Sequence, residues 1–275
     1  MSVLYVVATP IGNLADISSR ALAILKDVDL IAAEDTRHTK RLLDNYHIKT
    51  PLLAYHEHNE SESAVKLITL LSQGQQVALV SDAGTPLVSD PGYRLIRSAI
   101  EAGIKISPVP GASAVLTALS VSGLPTDRFC FEGFLPPKKK QRESRLKDLL
   151  REPRTMVFFE APHRIKALLA DLMSVFGGGR DVSVSRELTK QFEQVWTGTV
   201  SEAASLVASG DIPEKGEFVV VVKGASGDGA DYDEVELMKI LLTEVSPATA
   251  ASLASQILGV NRKHLYEVAL SLKNR

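Results

Sequence analysis

The chain has 275 residues, 45% apolar and 23% charged, which is ample for more than one core and rules out wholesale disorder. A net charge of −2 from 31 basic and 33 acidic residues excludes a globally cationic nucleic-acid binder, so any such contact must rest on local patches. No apolar run is long enough to cross a bilayer and no basic leader precedes the apolar residues 3–8. The one cysteine, Cys130 in Arg128-Phe129-Cys130-Phe131, cannot form an internal disulfide, so a soluble cytoplasmic protein with a buried, inert thiol is expected.

Short β-branched runs at residues 4–8, 29–33, 51–55, 77–81 and 104–109 alternate with amphipathic stretches at 18–26, 36–46, 61–72 and 93–102. This alternation predicts a mostly parallel sheet covered on both faces. An Ala/Leu/Val-rich helix over 113–122 closes a first domain, residues 1–122, and Gly123-Leu124-Pro125 marks the boundary. Strands then dominate at 129–134, 155–160, 182–186 and 218–223, with helices at 142–150, 165–175 and 201–208. They predict a second α/β domain, 123–224, with a more antiparallel sheet. Residues 225–233, with Gly227, Gly229 and acids but no base, read as a linker. Helical patterns at 234–244, 247–258 and 262–272 follow, the last two joined by Gly259-Val260-Asn261. They predict a helical domain, 234–275, of helix-turn-helix type.

Three loops directly follow predicted strands of the first domain, where open α/β sheets bind ligands. They are Ala8-Thr9-Pro10-Ile11-Gly12-Asn13-Leu14, then Ser81-Asp82-Ala83-Gly84-Thr85-Pro86 running on to Ser89-Asp90-Pro91-Gly92, and Val109-Pro110-Gly111-Ala112-Ser113-Ala114. Small residues let main chain approach a ligand, although Gly and Pro in any one loop can simply build a turn. None of the three matches a Walker loop or the Gly-x-Gly-x-x-Gly of dinucleotide binders.

The wording of these loops, with Ala33-Glu34-Asp35-Thr36-Arg37, Phe131-Glu132-Gly133-Phe134-Leu135-Pro136 and Phe158-Phe159-Glu160-Ala161-Pro162-His163-Arg164, resembles the tetrapyrrole (corrin/porphyrin) methylase family. Precorrin methylases and diphthine synthase belong to it. The resemblance runs from about residue 4 to 224 and implies two α/β domains of the class III methyltransferase type with S-adenosylmethionine held between them. A glycine-rich first loop and a Gly-Asp-Pro second loop are replaced here by Thr9-Pro10-Ile11-Gly12 and Ser81-Asp82-Ala83, which favours the ribosomal branch. That branch implies 2′-O-methylation of a cytidine ribose in the decoding region of 16S ribosomal RNA. A tetrapyrrole or precorrin-type small-molecule methylase on the same scaffold is the alternative.

Carried over residue by residue, the resemblance implies cofactor contacts at Pro10 and Ile11, at Ser81, Asp82, Ala83, Thr85 and Val88, and at Ala112 and Ser113. In the second domain it adds Phe159, Glu160, Gly216 and Glu217. A sugar hydroxyl is a poor nucleophile near neutral pH, so a positioned base or cation should help. Glu187 or Asp35 is expected as proton acceptor, with Lys190 or Arg37 stabilising charge; His56, Asn59 and Arg186 are further polar residues near predicted strand ends. For Asp35 and Arg37 a helix cap with an ion pair is an equal reading. No metal site is expected, since His56 and His58 lack a third ligand at familiar spacing.

Residues 137–154 carry eight basic residues against three acidic ones. Such a run is often just a solvated helix face. With an RNA substrate implied, Lys138, Lys139, Lys140 and Arg142, with Arg262 and Lys263 near the C-terminus, become the expected phosphate contacts. The partner implied is small-subunit ribosomal RNA, free or in the assembled subunit, and the relatives imply a homodimer and no membrane.

Overall fold

The computed structural model describes residues 2–225 and 234–273, so nearly all of the stretch expected as an acidic linker lies outside the described residues. The first lobe alternates throughout: β1 (Val3–Val7), α1 (Ser19–Asp27), β2 (Leu30–Ala33), α2 (Thr36–Asn45), β3 (Leu52–Ala54), α3 (Glu60–Ser72), β4 (Val77–Val80), α4 (Tyr93–Glu101), β5 (Lys105–Val109) and α5 (Ala114–Val121). Its five strands are all parallel, in the order β3-β2-β4-β1-β5. Helices cover both faces, which is why Val77-Ala78-Leu79-Val80 is apolar without alternation and buried at every position. Leu79 enters one core with Leu4, Leu67 and Leu95, while its neighbours Ala78 and Val80 enter the other with Val7, Leu25 and Ile31.

The second lobe holds β6 (Phe129–Phe134), α6 (Lys139–Asp148), β7 (Thr155–Glu160), α7 (Ile165–Phe176), β8 (Asp181–Arg186), β9 (Gln194–Thr199), α8 (Val200–Ser209) and β10 (Phe218–Val222). The sheet order is β6-β7-β10-β8-β9, and only the β6/β7 pair is parallel. Strand β9 has no counterpart among the predicted strands. It is an edge strand with no fully buried residue, so its apolar signal is thin, and its pairing with β8 from Asp181↔Thr199 to Arg186↔Gln194 defines it.

Period-two alternation in β7 and β10 joins the lobes. Met156, Phe158, Phe218, Val220 and Val222 face a core with α6, α7 and α8. Val157, Val219 and Val221 face the other way, against Val115, Ala118 and Leu119 of α5 and Ile11 of the first loop. Helix α5 is thus shared, and the first loop is locked against the second sheet.

Helix α6 starts three residues before the predicted point and corrects one expectation. Arg142 is buried, and its Nε donates to Asp171 Oδ2 at 2.6 Å while its Nη1 donates to the Pro137 carbonyl at 3.1 Å. A buried guanidinium must be paired, and this one ties the turn before α6 to α7. Arg142 cannot meet an RNA phosphate, whereas Lys138, Lys139 and Lys140 are exposed.

Beyond residue 233, α9 (Glu234–Glu244), α10 (Pro247–Leu258) and α11 (Arg262–Lys273) enclose their own small core of Met238, Ala250, Ala254, Leu258, Leu265 and Ala269. Gly259 ends α10 in the left-handed region, and Asn261 starts α11 by accepting the Lys263 amide at 2.8 Å. Arg262 and Lys263 are exposed there. Among the described residues no helix is long and apolar enough to cross a membrane.

Candidate active site between the lobes

The three loops leave the carboxyl ends of β1, β4 and β5, which are adjacent in the sheet. Thr9 and Gly84 exchange backbone hydrogen bonds of 2.9 and 3.0 Å, Thr9 Oγ1 donates to the Ser81 carbonyl and Thr85 Oγ1 to the Ala112 carbonyl, both at 3.2 Å. The loops therefore form one continuous wall. Opposite it stand the end of β7, the turn at 187–190 after β8, and residues 216–217 before β10.

Close main-chain approach is required where the walls meet. A Cβ on Gly12 would overlap the Lys190 side chain, and the Asn13 amide donates to Thr189 Oγ1 at 3.1 Å. A Cβ on Gly216, whose φ is +81°, would overlap Glu187. Leu87, Ser89, Glu187 and Thr189 also adopt left-handed φ values of 74°, 68°, 50° and 66°. Such backbone costs energy and persists only where its surroundings hold it.

The cleft has two adjoining compartments that share Ile11, Ala83 and Glu217. The first, about 330 Å³, is walled by Val88, Val115, Phe134, Phe159 and Leu188, with Thr85, Ser113 and Ala161 between them. Its ionisable lining residues are Asp90, Glu160 and Glu217, with no Lys, Arg or His. Glu160 is almost wholly buried; its Oε1 meets the Ala161 amide and Arg164, while Oε2 has no partner. Burial raises its pKa, partly offset by the Ala161 amide and Arg164. An apolar, acid-bearing pocket suits a flat ring with cationic centres and repels polyphosphate, so these residues fit S-adenosylmethionine.

The second compartment, about 340 Å³, is lined by Pro10, Ser81, Asp82 and Lys190, and by His38, Thr39, Arg41 and Leu42 of α2. The Lys190 ammonium lies 2.9 Å from Glu187 Oε1 and 3.0 Å from Glu217 Oε2. Burial disfavours that ammonium, but the two carboxylates outweigh it and raise its pKa. Burial likewise pushes the Glu187 carboxyl up, yet Lys190 and the Glu217 amide leave it below the ordinary value. Lys190 is thus a fixed positive charge.

Asp35 accepts the Arg37 amide at 2.8 Å as the cap of α2 and is clasped by the Arg37 guanidinium, whose bonds hold it far below the usual carboxylate range. The cap and the ion pair expected as one reading of these two residues are thus present in the structure. Next to it, burial raises Glu34, and the charges of Asp90 and Asp82 add to the effect. Burial likewise raises Asp90, opposed by the Ser81 hydroxyl.

Of the residues carried over from the resemblance, Ile11, Ala83, Thr85, Val88, Ser113, Phe159, Glu160 and Glu217 line the first compartment, and Pro10, Ser81 and Asp82 the second, where the expected charge-stabilising Lys190 also stands. Ala112 supplies a carbonyl to Thr85, and Gly216 makes room for Glu187; neither lines a compartment. His56 and Asn59 sit in the turn before α3, and Arg186 donates to the carbonyls of Lys215 and Phe192; all three are outside both linings. His38, Thr39 and Arg41 were missed. Their one signal in the sequence is the crowding of bases in Arg37-His38-Thr39-Lys40-Arg41.

The family model of Tetrapyrrole (Corrin/Porphyrin) Methylases matches residues 3–204, and that of the RsmI C-terminal HTH domain matches residues 228–273. Ribosomal RNA small subunit methyltransferase I of Xylella fastidiosa (strain Temecula1) is 53% identical over 96% of this chain and 97% of that protein. The protein of the same name from Pseudomonas aeruginosa is 49% identical over 99% and 98%, and that from Escherichia coli O157:H7 is 49% identical over 97% and 94%. Among solved structures, diphthine synthase superposes with a TM-score of 0.61 at 14% identity, covering 81% of this chain and 90% of that one. Uroporphyrin-III-C-methyltransferase from Thermus thermophilus gives 0.55 at 21%, covering 80% and 94%. These two speak to the fold. With the sequence matches spanning both lobes and the terminal helices, the chain is a methyltransferase that belongs to the tetrapyrrole (corrin/porphyrin) methylase family.

Proposed function

We propose that this enzyme transfers a methyl group from S-adenosylmethionine to the ribose 2′-hydroxyl of a cytidine in the decoding region of small-subunit ribosomal RNA. The observation that carries the reading is the pair of adjoining compartments, one lined by acids alone and one that also holds bases, together with near-full-length similarity to proteins named for ribosomal RNA methylation. The sulfonium supplies an activated methyl, so the protein's work is to align, to exclude water and to manage one proton.

Glu160 and Glu217 give the first compartment its negative field, and Phe134 and Phe159 offer ring surface. Ile11, Ala83 and Glu217 stand where the compartments meet, the place for a reacting oxygen. Lys190 lies beside that place, held charged between Glu187 and Glu217. Its ammonium stabilises negative character on the hydroxyl oxygen, and the proton released as the C–O bond forms passes to a carboxylate of that trio. Asp35, clasped by Arg37, is the weaker base and positions α2 instead. Lys138, Lys139 and Lys140, with Arg262 and Lys263, supply exposed cations for RNA phosphates. A cytoplasmic homodimer completes the reading, in keeping with the family resemblance.

Transfer of labelled methyl to undermethylated small ribosomal subunits, followed by mapping of the ribose-modified nucleotide, tests the whole. Label is expected at a cytidine 2′-oxygen. Label in precorrins instead, or none in RNA, would defeat the proposal.

A further inference from the structure

We infer that the second compartment receives one nucleotide of the RNA, with its phosphate gripped by Arg41 and His38 and its sugar edge met by the Thr39 hydroxyl. This rests on the methyl-transfer reading above and adds the place and the residues that recognise the acceptor.

Three independent observations converge. First, α2 presents Arg37, His38, Lys40 and Arg41 within its first two turns, all exposed. The amino end of a helix carries positive potential, which adds to the attraction of these cations for an anion. Arg37 is spent on Asp35 and Lys40 on Asp44, at 2.8 and 3.0 Å. Arg41 and His38 line the compartment and make no ion pair among the described residues. Second, Thr39 lies between them in the sequence, is 3% exposed, and its Oγ1 has no hydrogen-bond partner. A buried hydroxyl left unpaired is costly, and Thr39 is among the residues that line the compartment. Third, Ala83 and Glu217 line both compartments, so a sugar held here lies next to the space proposed for the methyl donor.

The chemistry selects the ligand. An aromatic small molecule with carboxylates spread around its edge would need free cations around the pocket, whereas here Lys190 is already paired with Glu187 and Glu217, and the cations without an ion pair among the described residues, Arg41 and His38, sit together on α2. A single phosphate with a sugar and base behind it matches that one-sided arrangement. A single nucleotide drawn out of a folded strand fits a compartment of about 340 Å³ better than a duplex does.

The test compares wild type with Arg41→Glu, Arg41→Gln, His38→Ala and Thr39→Val in methyl transfer to undermethylated small subunits, with S-adenosylmethionine affinity read by calorimetry and folding by thermal melts. Arg41→Glu is expected to raise KM for the particle at least about tenfold, the loss of one charge-assisted contact, with kcat and cofactor affinity retained. Arg41→Gln, the milder variant should the reversal disturb folding, should raise KM less and lower the salt slope of RNA binding by about one. Thr39→Val should raise KM a few-fold without lowering the melting temperature. Wild-type KM and salt slope in both Arg41 variants would overturn the inference, as would a fall in kcat at constant KM. A wild-type enzyme that labels no RNA would instead defeat the proposed function, and label in a ribosomal protein would defeat both.

Discussion

The two compartments of the cleft share residues and wall loops, yet the first is lined by acids alone and the second by acids and bases together. The first offers Asp90, Glu160 and Glu217 with no cation, while the second sets Lys190, Arg41 and His38 against Asp82 and Glu217. An acid-lined apolar pocket attracts a sulfonium nucleoside and unpaired cations attract a phosphate, so this difference supports the proposed donor and acceptor sides. Both could have been read as one elongated groove from their loops. What separates them is which lobe and which helix supplies the ionisable groups.

The assignment breaks most sharply at Lys190. Lys190→Ala should lower kcat about a hundredfold, the lower end for losing a group that acts on the reacting proton, and leave S-adenosylmethionine affinity unchanged by calorimetry. A parallel loss of cofactor affinity would merge the two compartments into one site. The reciprocal change is Ala161→Leu, which crowds the first compartment only; it should weaken cofactor binding about tenfold, in the range of overpacking costs, while RNA binding in a filter assay stays as in wild type.

Smaller effects sharpen the picture. Reversing Lys138, Lys139 and Lys140 together should reduce the salt slope of RNA binding by about one for each lysine that meets a phosphate, with unchanged melting temperature and cofactor affinity. The smallest effect concerns Glu34, whose carboxyl is raised by burial and by Asp90 and Asp82. A group with a raised folded-state pKa favours folding below its unfolded value and loses that benefit as pH rises through the folded one. Glu34→Gln should therefore raise the melting temperature at pH 7, with the gain vanishing below the ordinary glutamate value of 4.5. A gain that persists at acid pH would show that packing rather than charge is responsible.

Much of the scaffold was legible residue by residue. Buried parallel strands such as Val77–Val80 announce themselves as unbroken apolar runs, and the loops after them by Gly and Pro. Strand β9 was not legible, because an edge strand buries too little to show alternation. In the basic stretch, Lys138 and Arg142 look equivalent in one dimension. Their fates diverge because Asp171, on the next helix, takes one of them into the core.

Local pattern thus determined by itself the alternating elements, the two kinds of sheet and the three strand-end loops, since periodicity and turn chemistry act over a few neighbouring residues. Tertiary structure alone decided which charges share a cavity. Lys190 and Glu217 are hydrogen-bonded across 27 residues of chain, and Gly12 lies against Lys190 from the opposite lobe. Electrostatics depends on distance through space and on burial, and neither is written in the order of residues along a chain.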